Sequence, residues 1–145
     1  EAGGQRSSAV TMLVQNASPA WFTADSTGLG QIAALNQDGS LNRAGNGAVR
    51  GSVLVLYGTG EGLVTPLPAS GGLVSELTRP VLPVSVLIGG VPAAIEYAGG
   101  APGLVSGLLQ VNVRVPESSP VGDAVPVVLL VGEFRSVTGT TATIR

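Results

Sequence analysis

The chain has no cysteine, no histidine and no lysine; its seven basic residues are all arginine. Without cysteine there are no disulfides, thiolate nucleophiles or zinc fingers. Without histidine, Ser-His-Asp triads and Cys-His dyads are excluded, and without lysine so are Ser-Lys dyads and Schiff bases. A metal site would have to rest on carboxylates. Asp25, Asp38, Glu61, Glu76, Glu96, Glu117, Asp123 and Glu133 are scattered, with no spacing that resembles a calcium loop. Aromatic residues make up 3% of the chain, too few for the sugar platforms that accompany a glycosidase carboxylate pair. The inventory predicts a non-enzymatic protein with no catalytic residues, no cofactor and no metal.

Charge is the second scarcity. Charged residues are 11% of the chain against 44% hydrophobic, and the net charge is −2. With no basic cluster the chain lacks the positive footprint that nucleic acid demands. So little charge on an apolar chain is unusual for a free soluble domain and fits either surface covered by a partner or a Gly/Ala/Val-rich extracellular β-repeat without one. The longest apolar run, Val125–Val131, is far too short to span a membrane. The chain opens on Glu1 with no signal peptide, which reads as a processed or trimmed chain.

What is present is strand periodicity, and 145 residues suffice for one sandwich core. Leu109, Val111, Val113 and Val115 fall on one face, with Gln110, Asn112 and Arg114 on the other. Val84, Val86 and Ile88 repeat the pattern, and Gly89-Gly90 predicts a tight hairpin into Val91–Tyr97. Val125–Val131 is apolar on both faces, which predicts a central strand. Gly51–Tyr57 reads as a second strand buried on both sides. Gln37-Asp38-Gly39 predicts a turn between Gln31–Asn36 and Ser40–Asn42. The Thr-rich segment Val137–Ile144 reads as an exposed or edge strand. Trp21-Phe22 reads as a hydrophobic plug at one end of the core.

No stretch has the length and period of an amphipathic helix; Leu29–Leu35 is short and glycine-flanked. Gly58-Thr59-Gly60-Glu61-Gly62 follows a strand but lacks the spacing and lysine of a nucleotide loop, so it reads as a glycine-rich turn. From Gly58 to Pro80 the chain reads as a long irregular loop, of the kind that binds a ligand or covers a sheet edge. Asn16-Ala17-Ser18 fits a glycosylation sequon by pattern alone. The class predicted is all-β, a sandwich of short strands.

Several ordered stretches resemble one family. They include Gly28-Leu29-Gly30-Gln31, Leu35-Asn36-Gln37-Asp38-Gly39-Ser40, Leu56-Tyr57-Gly58-Thr59-Gly60-Glu61-Gly62, Ile88-Gly89-Gly90-Val91-Pro92-Ala93 and Leu109-Gln110-Val111-Asn112-Val113-Arg114-Val115-Pro116. Together they are similar to the Solibacter-type C-terminal domain, an uncharacterised family found at the ends of large secreted acidobacterial proteins. The second half also resembles an IPT/TIG-type immunoglobulin-like module. The resemblance covers nearly the whole chain from Ser18 onward. It implies an extracellular immunoglobulin-like β-sandwich with no known catalytic residues.

The front of the chain departs from that pattern. In multidomain relatives, residues before a Pro-Ala-x-Phe-like start read as the last strand of a preceding domain, a part taken here by Gly4–Thr11. The expected division is therefore a 1–17 extension, a candidate donor strand, and an 18–145 sandwich. Val10, Met12 and Val14 have the two-residue spacing of side chains that fill pockets, and with Leu13 they are the candidate subunit-interface residues. The reading favoured is an extracellular structural subunit that polymerises head-to-tail by donating this strand. The alternative is a monomeric binding or anchoring module with an unidentified extracellular ligand. If Ser8–Val14 is instead the first strand of its own sandwich, it should pair within the chain.

Overall fold

The computed structural model describes residues 3–4, 8–69 and 71–145. Among them there is no helix. The strands are β1 (Ala20–Trp21), β2 (Gly30–Gln31), β3 (Ala34–Asn36), β4 (Val53–Thr59), β5 (Val64–Thr65) and β6 (Arg79–Pro80). They continue with β7 (Val84–Ile88), β8 (Val91–Gly100), β9 (Leu109–Arg114), β10 (Gly122–Val131), β11 (Phe134–Arg135) and β12 (Thr140–Ile144). The fold is all-β and sandwich-like, as the composition and periodicity predict.

One large curled sheet runs β1-β4-β9-β8-β7-β10-β12-β2, with β3 also on β4 and β11 also on β10; β5 and β6 form a small sheet of their own. The curl is made at β8. Its first residues, Val91–Ala93, pair with β7, and from Ala94 onward it pairs with β9 instead. A register shift between Ile95 and Tyr97 marks the bend. A strand that changes partners through a bulge is how one sheet turns a corner and faces itself across a core.

The periodicity places the core. Leu109, Val111, Val113 and Val115 are fully buried, whereas Gln110 and Asn112 are half-buried and Arg114 is exposed. Val86 and Ile88 from β7 and Val127, Leu129 and Val131 from β10 meet them in the same cluster. Gly89 and Gly90, at φ 59° and 82°, form the turn between β7 and β8, where a two-residue hairpin requires positive φ at both positions. Strand β10 is central, with β7 on one margin and β12 and β11 on the other. Its second face is less buried than its sequence suggests: Val128 is buried, Leu130 half-buried and Pro126 exposed.

Three expectations are corrected. On β4 only Leu54, Leu56 and Gly58 are fully buried, while Val53, Val55 and Tyr57 are half-buried. That strand has one face on the core, so it is not buried on both sides. Of the aromatic pair, Trp21 is buried and Phe22 is largely exposed, so the plug is one residue. The Thr-rich C-terminal strand is neither exposed nor an edge. Thr140, Ala142, Thr143 and Ile144 are buried, with β10 on one side and β2 running parallel on the other. Its hydroxyls are accommodated because each finds an acceptor: Thr140 Oγ1 donates to the Val127 carbonyl at 2.9 Å and Thr143 Oγ1 to the Asp123 carbonyl at 3.2 Å.

The buried Asn42 side chain ties the loop after β3 to this last strand. Its Nδ2 donates to Asn36 Oδ1 and to the Thr143 carbonyl, both at 2.9 Å. Its Oδ1 accepts from the Thr143 backbone N–H at 2.9 Å and from Gln31 Nε2 at 3.0 Å. Asn42→Leu would leave both backbone groups of Thr143 without these partners. The expected loss is about 2–4 kcal/mol, read as a lower urea midpoint at unchanged slope.

Candidate functional site

Among the described residues, the candidate donor segment has no strand partner in its own chain. No strand or bridge among the described residues involves Ser8–Asn16. Val10 is 78% exposed, Met12 77%, Leu13 89% and Val14 95%. Among the described residues, Ser8–Val14 does not pair within the chain. Burying such side chains contributes about 1.5–3 kcal/mol each, a stabilisation this segment does not obtain within the monomer. Four exposed apolar side chains thus lie within five residues of one continuous segment.

The segment is held at its base. Ala17 is buried, and the Ser18 N–H donates to the Gly60 carbonyl at 2.9 Å. The glycine-rich turn read in the sequence is the seat for this base. Gly60 and Gly62 have φ of 81° and 72°, and a Cβ on either would overlap a carbonyl oxygen, that of Ser18 or of Asn16 respectively. Close backbone approach and positive φ both demand glycine there. Gly62→Ala is therefore expected to cost about 1–3 kcal/mol and to loosen the base of the segment. Faster proteolysis between Asn16 and Pro19, beside a lowered melting temperature, is the measurement that checks it.

Next to this seat the Gly58–Pro80 region is irregular as read, with the small β5–β6 sheet inside it. Leu63, Leu67, Leu73 and Leu77 stand exposed along it, and Glu61 is buried at its start. The burial of Glu61 has no signal in the sequence, because it follows from the chain's N-terminal approach to the two flanking glycines.

A second feature was not read from the sequence. Where β8 leaves β7, a cleft of about 440 Å³ opens, lined by Arg79 through Val84 and by Ile95 through Ala98. Leu82, Val84, Ile95 and Ala98 in its walls pack on the core cluster. From Ala94 to Ala98, β8 pairs only with β9; along its other margin no strand pairs with it among the described residues. At the far end Thr78 closes the margin, its Oγ1 accepting from the Gly100 N–H at 2.9 Å. The signal available was length: β8 has 10 residues and its hairpin partner β7 has 5, so half of one margin is left over.

Two charged groups and a phenol line this cleft. Glu96 is ion-paired with Arg114 across the β8–β9 ladder. Tyr97 donates its hydroxyl to the Gly100 carbonyl at 2.7 Å. Burial raises the Tyr97 pKa, with the nearby Arg79 charge opposing. Because the folded pKa lies above the unfolded one, the stability linked to this phenol is present below the ordinary phenol range and is lost as pH rises through the folded value. The phenol is a neutral hydrogen-bond donor at physiological pH.

Among the described residues no three acidic side chains come together in a group able to hold a metal ion. No helix among them is long and apolar enough to cross a membrane. Comparison with protein-family models, curated proteins and solved structures finds no match to this chain.

Proposed function

We propose that the protein is a non-enzymatic, extracellular structural subunit that polymerises head-to-tail, each copy donating Val10–Val14 to the sheet of its neighbour. The observation that carries the reading is the unpaired, anchored segment with Val10, Met12, Leu13 and Val14 in solvent. An added strand gains main-chain hydrogen bonds along its length while alternate side chains fill pockets. The scarcity of charge and the sequence resemblance to a secreted immunoglobulin-like module support the same reading. Because donor and acceptor surfaces differ, the contact is heterologous and propagates into an open polymer.

The test is assembly of the purified chain at high concentration, followed by size exclusion and electron microscopy. Filaments are expected from the intact chain, and monomers from Met12→Asp, whose charge would have to be buried on donation. An intact chain that stays monomeric contradicts the proposal. A second reading, a monomeric binding module, is favoured by the exposed leucines of the Gly58–Pro80 region. It predicts a monomer whose ligand binding is lost in Leu67→Asp and untouched in Met12→Asp.

A further inference from the structure

We propose that the cleft between β8 and the segment Arg79–Val84 is the acceptor site, and that its occupant is the Val10–Val14 segment of a second copy of this chain, paired along Ala94–Ala98 of β8. The inference rests on the strand-donation reading and adds to it the place and the register range.

The first argument is the backbone. Ala94–Ala98 pairs with β9 on one margin and, among the described residues, with no strand on the other, where β6 packs close by without a ladder. An unpaired margin of N–H and C=O groups is a template for another strand. Elsewhere the sheet gives such a template little length, because its terminal strands β1 and β2 have 2 residues each. The margin of β8 is internal and bounded. It begins where β7 pairing ends at Ala93 and stops where Thr78 meets Gly100. Ala94–Ala98 and Val10–Val14 are runs of equal length, about 16 Å each at strand rise.

The second argument is what the walls offer. Leu82, Val84, Ile95 and Ala98 are partly buried apolar groups continuous with the core. An added strand places alternate side chains on one face, so Val10, Met12 and Val14 would all point onto that floor while Thr11 and Leu13 face out. Polarity agrees as well. Ser8–Gln15 carries no ionisable side chain. Of the two charged groups in the cleft, the Glu96 carboxylate is paired with Arg114 and Arg79 is exposed to solvent, so a neutral strand entering along Ala94–Ala98 brings no charge of its own into the site. The chain's own segment lies exposed outside the cleft, which leaves the site for another copy.

Disulfide trapping tests this directly, since the native chain has no cysteine to interfere. A Met12→Cys chain is mixed under mild oxidation with Ala98→Cys, with Val81→Cys, and with Val49→Cys. Val81 and Val49 are both exposed; Val81 lines the cleft and Val49 does not. About tenfold more cross-linked dimer is expected with either cleft cysteine than with Val49→Cys, because a disulfide requires close Cβ approach. The double variant Met12→Cys/Ala98→Cys should give a ladder of covalent oligomers on a denaturing gel. Filaments whose Met12→Cys sites cross-link to Val49→Cys as readily as to the cleft would overturn the cleft and leave strand donation standing. A double variant that closes on itself as a covalent monomer would overturn the second copy as occupant. Absence of both polymers and cross-links would remove strand donation and the cleft together.

Discussion

Val111→Asp is expected to leave the chain unfolded at room temperature. Val111 is fully buried on β9, opposite Leu56 on β4 and Ala98 on β8. The substitution forfeits about 1.5–3 kcal/mol of apolar burial. It also places a carboxylate among valines and leucines, where no arginine is at hand, at a further cost of several kcal/mol. Domains of ordinary stability have about 5–15 kcal/mol in total, so the sum takes most or all of it. The adjacent Asn112→Asp is the control. Asn112 is half-buried on the opposite face, and its Oδ1 accepts from Gln110 Nε2 at 2.9 Å, a bond that aspartate keeps. Circular dichroism with urea melts should show Asn112→Asp folded and Val111→Asp without a cooperative transition. A cooperative, near-native melt for Val111→Asp would contradict the assignment of β9 to the centre of the core.

The strands whose one face is apolar were legible because a period of two is a local property. Leu109–Val115 and Val84–Ile88 carry it without interruption, and Gly89-Gly90 fixes the turn between β7 and β8. Burial on a second face was less legible. Val53, Val55 and Tyr57 are apolar yet only half-buried, because the outer face of β4 has no covering layer of comparable depth. The C-terminal strand was misjudged for the opposite reason. Threonine reads as surface-compatible, but Thr140 and Thr143 are buried beside carbonyl acceptors contributed by β10, and that neighbourhood is tertiary. The cleft was not legible as such, since it arises where β8 changes partner from β7 to β9 after Ala93 and shifts register around Glu96. The candidate donor segment was visible as an alternating apolar run, but whether it paired at home depended on the whole sheet. In the structure it pairs with no strand of its own chain among the described residues.

Removal of residues 1–16 has the second large expected effect. It deletes Val10, Met12, Leu13 and Val14 and stops short of the buried Ala17, so the core cluster keeps every member. Under strand donation the truncated chain is expected to fold, to remain monomeric at concentrations where the intact chain would polymerise, and to give a cooperative melt. Under strand donation, assembly falls to nothing while secondary structure stays intact. That separation of effects is what a merely structural N-terminus would not produce.

The most direct measurement is a thermal melt of this truncated protein with and without a peptide spanning Gly4–Gln15. A donated strand is a ligand of the folded state alone. At a free concentration about a hundred times Kd it should stabilise by about 2.7 kcal/mol. For a domain of this size that is a rise of about 5–10 °C in Tm. A saturable rise, lost when Met12 of the peptide is replaced by Asp, is the result predicted. A truncated protein that fails to fold, beside an intact chain that stays monomeric at high concentration, would contradict strand donation.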